Sequence, residues 1–203
     1  ATFVSCTSLK SLPAGLFAKN TLATGFQGTF CGCSSLETIP ADLLPAAEKV
    51  SSVKDLFAEC SSLKTVPSGL FAGLPAVTSF EATFADCTSL ESVPEDLFSA
   101  IGTKTSSITF AECFMNCKSL KSLPAGLFDT VRRINYIDNC FDGCTSLTGE
   151  SPYTMIGDQK IHIYERVKGD DFPIVPSSSS AHTKCFADCE GLDDYSSIPT
   201  DWK

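Results

Sequence analysis

The chain is predicted to fold as an α/β solenoid, a right-handed stack of about seven coils with short parallel strands. Three observations lead there. The segment Phe-x-x-Cys-x-x-Leu occurs seven times, beginning at Phe3, Phe30, Phe57, Phe84, Phe114, Phe141 and Phe186. Four of the six intervals between its cysteines are 27 residues, one is 30 and one is 45. In five copies the segment runs on into a Ser/Thr-apolar-Pro signal. A period in this range marks repeat units that bury their apolar faces only against their neighbours. A residue recurring in every unit is therefore first a core position.

The unit from Ser79 to Gly102 shows the expected elements in order. Phe80, Phe84, Cys87 and Leu90 fall at offsets of four, three and three, which fits one face of a short helix. Leu90 to Val93 then reads as a strand. Pro94 has no N–H for a ladder and stops it. The same proline opens a second helical turn, with Glu95 and Asp96 at its N-terminal end and Leu97 and Phe98 buried. The pair recurs as Leu16-Phe17, Leu43-Leu44, Leu70-Phe71 and Leu127-Phe128. Fourteen of the fifteen Phe occupy repeat positions and are assigned to the core.

Stacked units bring equivalent residues side by side. The residue after each repeat Leu is Lys10, Glu37, Lys64, Glu91 or Lys121, alternating in sign so that like charges are kept apart. The next position but one from the proline is Ser11, Thr38, Thr65, Ser92 or Ser122, a row of small hydroxyls on the strand face and a candidate ligand surface. The pattern breaks between Cys144 and Cys189. Thr154 to Ile156 and Lys160 to Tyr164, around Gly157-Asp158-Gln159, read as a β-hairpin. A loop with Gly169 to Asp171, Pro173, Pro176 and Ser177 to Ser180 follows. The expected division is 1–147 as the repeat array, 148–184 as the hairpin and loop insertion, and 185–203 as a terminal repeat. The insertion either covers the end of the core or carries recognition.

Composition excludes several classes. A net charge of −9 and a pI near 4.6 argue against nucleic acid and against docking on an anionic bilayer. No apolar run approaches the roughly 18 residues of a membrane span. The chain opens inside a repeat, so an upstream segment is expected, and any export signal or anchor would lie there. No cofactor is implied, and the chain is expected to act as a monomer.

Seven of the eleven cysteines sit at one repeat position, the pattern of a small buried hydrophobe. Cys113, Cys140 and Cys185 share a second position, filled elsewhere by Thr2, Thr29, Leu56 and Thr83. Buried thiols, a disulfide between units and a metal site with His182 are the readings open there. His162 and His182 are the only histidines, and no nucleophile elbow or phosphate loop is present. Asp193 and Asp194 read as a solvated turn, and His162 as lying on the polar phase of the hairpin. Tyr136, Tyr153, Tyr164, Tyr195 and Trp202 lie off the repeated Phe positions. Tyr153, Tyr164, Tyr195 and Trp202 are candidate ligand contacts, or else they cap the open end of the core.

The recurring Phe-x-x-Cys-x-Ser-Leu units, the runs from Leu147 to Tyr153 and Lys160 to Arg166, and the ending from Cys185 to Trp202 resemble the BspA-like bacterial leucine-rich repeats. The resemblance is to the variant found in surface proteins of gut Bacteroidetes, and it covers essentially the whole chain. It implies an extracellular, often lipid-anchored protein that binds host or microbial macromolecules. The function expected is a non-catalytic surface-exposed binding or adhesion module for an extracellular protein or glycan. The alternative is a spacer holding another domain away from the cell, and an enzyme ranks last.

Overall fold

The computed structural model describes residues 2–101, 107–166 and 181–203. Gly102, Phe172 and the loop expected from Gly169 to Ser180 lie outside the described residues. Repeat units stack one on the next, but no α-helix occurs among the described residues. The helical pieces among them are 3-10 turns at Ile163–Glu165, Tyr195–Ser197 and Thr200–Trp202. This corrects the α/β expectation.

The segment expected as a helix is a run of linked turns, as the unit around Phe57 shows. Leu56, Ala58 and Cys60 donate their N–H groups back to Val53, Asp55 and Phe57. The residues between them, Val53, Asp55, Phe57 and Glu59, donate instead to Ser79, Glu81, Thr83 and Ala85 of the next unit, at 2.7–3.0 Å. A helix would keep all of these donors inside one segment. Sending every second one sideways requires left-handed backbone two residues before and two residues after the repeat Phe. The first column is Gly28, Asp55, Ala82, Glu112, Asn139 and Lys184, all with φ between 50° and 58°. The second is Ser5, Gly32, Glu59, Asp86, Asn116, Gly143 and Asp188, with φ from 54° to 73°. Gly, Asn and Asp tolerate this region best. At Gly143 a side chain would also strike Asn116, whose Oδ1 lies 2.5 Å from where a Cβ would stand.

Neighbouring repeat Phe rings stack nearly parallel. From Phe3 through Phe30, Phe57, Phe84, Phe114 and Phe141 to Phe186, centroids are 5.4–5.7 Å apart with planes within 11°. Each buried ring contributes about 1.5–3 kcal/mol, and each offset pair adds about 0.5–1.5 kcal/mol.

The cysteines complete this column. The thiols of Cys33, Cys60, Cys87, Cys117, Cys144 and Cys189 each donate to the carbonyl of the repeat Phe one unit earlier, at 3.1–3.3 Å. That carbonyl already accepts the N–H of its own unit's cysteine. Both lone pairs are used, and the thiol bonds run opposite in direction to the N–H ladder. All eleven cysteines are free thiols. Burial pushes Cys60 up to about 12 and holds Cys87, Cys113, Cys117, Cys140 and Cys185 well above the ordinary thiol value.

The expected strand after each repeat Leu is reduced to single contacts. Glu37 donates to Lys10, Lys64 to Glu37, Glu91 to Lys64 and Lys121 to Glu91, and Thr65 bridges Ser92. The alternating charges thus stack in order, with Glu91 and Lys121 in an exposed 2.6 Å ion pair. The better formed parallel pairing lies elsewhere. Strand β1 (Ile108–Thr109) pairs with β2 (Ile134–Tyr136), and bridges link Gly25, Ser52, Ser79 and Thr109 on the same edge. Past this stack, β3 (Tyr153–Ile156) and β4 (Gln159–His162) form an antiparallel hairpin around Gly157 and Asp158.

The final unit resumes the stack at Ala181, which accepts from Ile137 N–H. Its own N–H groups at Lys184 and Phe186 donate to Asp201 and Trp202. The Trp202 ring lies 6.4 Å from that of Phe186, with planes at 19°, so ladder and ring column end together.

Replacing Glu59, exposed at φ 60°, with glycine tests the turn architecture. Glu59→Gly is expected to stabilise the fold by about 0.5–1 kcal/mol, because the left-handed penalty is relieved. In a helix interior it would cost about 1 kcal/mol. Urea midpoints of the two proteins distinguish these outcomes.

Candidate functional site

Two places on the stack gather polar chemistry. The first lies where the hairpin meets the terminal unit. Ser151, fully buried, donates its N–H to Asp194 Oδ1 at 3.0 Å and its hydroxyl to Asp194 Oδ2 at 2.5 Å. The Tyr164 hydroxyl donates to the same Oδ2 at 3.2 Å. His162 Nδ1 lies 3.0 Å from Ser151 Oγ and 3.1 Å from Asp194 Oδ2. Asp194 is therefore a largely buried acceptor rather than a solvated turn residue. His162 is likewise enclosed rather than on a polar face. Burial and the Asp194 charge push the Tyr164 phenol above its ordinary value.

A Ser, a His and an Asp in contact invite comparison with a hydrolase triad. In a triad the imidazole bridges the other two through opposite nitrogens, leaving the serine oxygen free to attack. Here serine and aspartate share Nδ1, and the serine hydroxyl is committed to the carboxylate. The arrangement clamps the hairpin to the last unit. Arg166 extends it, donating to the Phe128 carbonyl at 3.3 Å and to Thr154 Oγ1 at 2.7 Å. Burial draws the Arg166 guanidinium down to about 10, so it remains charged at neutral pH.

The aromatic candidates are tied into this closure. Trp202 is 3% exposed and stacks on His182 at 4.7 Å. His182 in turn meets Asp201 at 2.8 Å and holds that carboxyl below its usual range. Tyr164 lies between His162 and Trp202. Lys160 covers the Tyr153 ring at 4.6 Å, and Lys203 covers Tyr195 at 4.9 Å. Trp202 thus offers no surface for a ligand, because its ring ends the Phe column. Ser11, Thr38, Thr65, Ser92 and Ser122 are all exposed, in a row beside the stacked charges.

The second place is a groove of about 370 Å³ beside β1 and β2, bordered by Glu81, Thr109, Ala111, Asn135, Tyr136 and Asp138. Tyr136 is 46% exposed, and its side chain has no ring or hydrogen-bond contact among the described residues. Glu81 is paired with Lys54 at 2.7 Å. Glu112, next in sequence to Ala111, has its carboxyl pushed up by partial burial and then by Glu81 and Asp138. The hairpin clamp had no sequence signal, since Ser151 and Asp194 are 43 residues apart. The groove had one: Ala111 occupies a repeat position held by Lys54, Glu81 and Asp138 in neighbouring units. Among the described residues, no three His, Cys, Asp or Glu side chains are placed to hold a metal ion. No helix among them is long and apolar enough to cross a membrane.

The fold is similar to that of solved structures. A leucine-rich cell surface protein from Faecalibacterium prausnitzii aligns over 92% of this chain at 23% identity, with a TM-score of 0.52. The match spans 48% of that protein, so this chain corresponds to about half its length. At this identity the likeness is one of fold: the chain has the fold of a leucine-rich protein. The Toll–Spätzle complex of Drosophila aligns over 71% of this chain and 23% of its own at 17% identity, with a TM-score of 0.21, too low to support an argument. No family model matches the chain, and no curated protein sequence does.

Two outcomes are expected. Asp194→Ala strands the buried donors of Ser151 and Tyr164 and lowers stability by about 2–4 kcal/mol. Hydrogen exchange should then rise in residues 153–162 before it rises in the Phe column. Glu112→Gln tests the crowded carboxylates. The folded-state value of Glu112 is raised, so its ionised form costs stability above that value and the cost fades as pH falls through it. The variant should melt higher than wild type at pH 8, with the gap closing by pH 4.

Proposed function

We propose that the chain is a non-catalytic binding module of the cell surface, of the BspA-like leucine-rich-repeat type, recognising an extracellular protein or glycan. In this reading it is a right-handed solenoid of about seven coils. The observation that carries the proposal is the distribution of its polar groups. Ionisable and hydroxyl side chains lie in exposed periodic rows, while the Ser151–His162–Asp194 contact is locked in a structural clamp. The fold shared with a leucine-rich cell surface protein supports the same reading. Rows of this kind suit a broad contact surface, where many weak contacts add up around a few anchors.

A spacer role draws on the continuous ring column, which makes the stack stiff. Display on a cell surface separates the two roles. The wild-type module should confer saturable attachment to immobilised extracellular matrix proteins or oligosaccharides. An unrelated rigid repeat of equal length should not. Equal attachment with the substitute in place would leave only the spacer role.

A further inference from the structure

We propose that the groove beside Tyr136 is a carbohydrate-binding site that takes a neutral sugar unit of an extracellular glycan. The proposal rests on the binding reading above and supplies its ligand class.

The groove follows from the way this edge of the stack is built. Just before the linked turns, each unit places one buried side chain between two that face outward. Val53, Phe80, Phe110 and Ile137 point in and are buried. The residues on either side of them face out: Ser52, Ser79, Thr109 and Tyr136 in one column, and Lys54, Glu81, Ala111 and Asp138 in the other. Three of the second column's four side chains are long or charged. Ala111 is short, so a hollow opens between Glu81 and Asp138. Its volume of about 370 Å³ lies within the roughly 300–1,000 Å³ of small-ligand sites. Thr109 and Tyr136 are held in register by the β1–β2 pairing, so the site stands on ordered backbone.

The lining matches the two faces of a sugar ring. A pyranose presents an apolar C–H face and a rim of hydroxyls that both donate and accept. The exposed, unpartnered ring of Tyr136 supplies an apolar platform with a negative face. Asn135 offers a donor and an acceptor, Thr109 a hydroxyl, and Asp138 a carboxylate acceptor. The charges disfavour an acidic ligand, and the pairing of Glu81 weakens the pull on a basic one. The Lys54 ammonium already sits on Glu81, which leaves that carboxylate less to offer a basic side chain. An acidic sugar would meet the carboxylates of Asp138 and Glu81.

The test is a printed array of neutral, sialylated and uronic-acid oligosaccharides, with polylysine spots added. It is probed with wild type, Tyr136→Ala, Tyr136→Phe and Ala111→Lys. All three substitutions lie at accessible positions, and thermal melts confirm that each variant is folded. The expected result is retention of at least one neutral oligosaccharide series by wild type. Tyr136→Ala and Ala111→Lys should each lower that retention more than tenfold, and Tyr136→Phe should keep most of it. Equal retention by Tyr136→Ala and Ala111→Lys would overturn the site, as would retention of only acidic glycans or only polylysine. A blank array alongside saturable attachment to matrix proteins would remove the sugar site and leave the binding module standing. A blank in both experiments would remove both.

Discussion

Each repeat unit divides its backbone donors between itself and its neighbour, and the rest of the molecule depends on that division. The N–H groups of Leu56, Ala58 and Cys60 turn inward along the chain, while those of Val53, Asp55, Phe57 and Glu59 cross to the next unit. Left-handed residues two before and two after the repeat Phe make the alternation possible. Once donors leave the unit, no unit can satisfy its own backbone, and stability becomes a property of neighbouring pairs. The phenylalanine rings then fall into a column because the backbone that carries them is already in register.

The cysteine position makes sense in the same terms. A side chain there must be small and buried and must offer one donor to a carbonyl with a free lone pair. A thiol meets all three demands, with a soft sulfur that costs less to desolvate than a hydroxyl. Alanine would leave the carbonyl with one partner fewer. The second cysteine column, at Cys113, Cys140 and Cys185, occupies the place where Thr83 bonds its hydroxyl to the carbonyls of Phe80 and Val53. Hydroxyl and thiol both serve at that position, and so does the apolar Leu56.

The two surfaces of interest arise from departures from the repeat. At one end, the hairpin and the terminal unit are joined by Asp194, and Trp202 supplies both a last ring and a last carbonyl. Trp202 is buried there against the last ring of the stack, while Tyr153, Tyr164 and Tyr195 stay half-buried. Along the edge, a single short residue in a column of long ones leaves a hollow beside Tyr136. A regular stack is a poor discriminator of ligands because every unit looks alike. An interruption of its side-chain rows is where selectivity can enter.

Local order in the sequence was enough to define the period, the inward residues and the stacked charge row. Phe, Cys and Leu recur at fixed offsets because a core position tolerates few substitutes. The same offsets of four, three and three fitted a helix, yet the structure is a chain of turns. Apolar spacing reports which side chains face inward, not where the backbone donors go. The clue to the turns was present in Gly28, Gly32, Asn139 and Gly143, residues suited to left-handed backbone at two fixed columns. What tertiary structure alone decided is what stands next to what across units: Ser151 with Asp194, Trp202 with Phe186, and Ala111 between Glu81 and Asp138. Those neighbours are tens of residues apart, and only the stacking of one unit on another brings their side chains within reach.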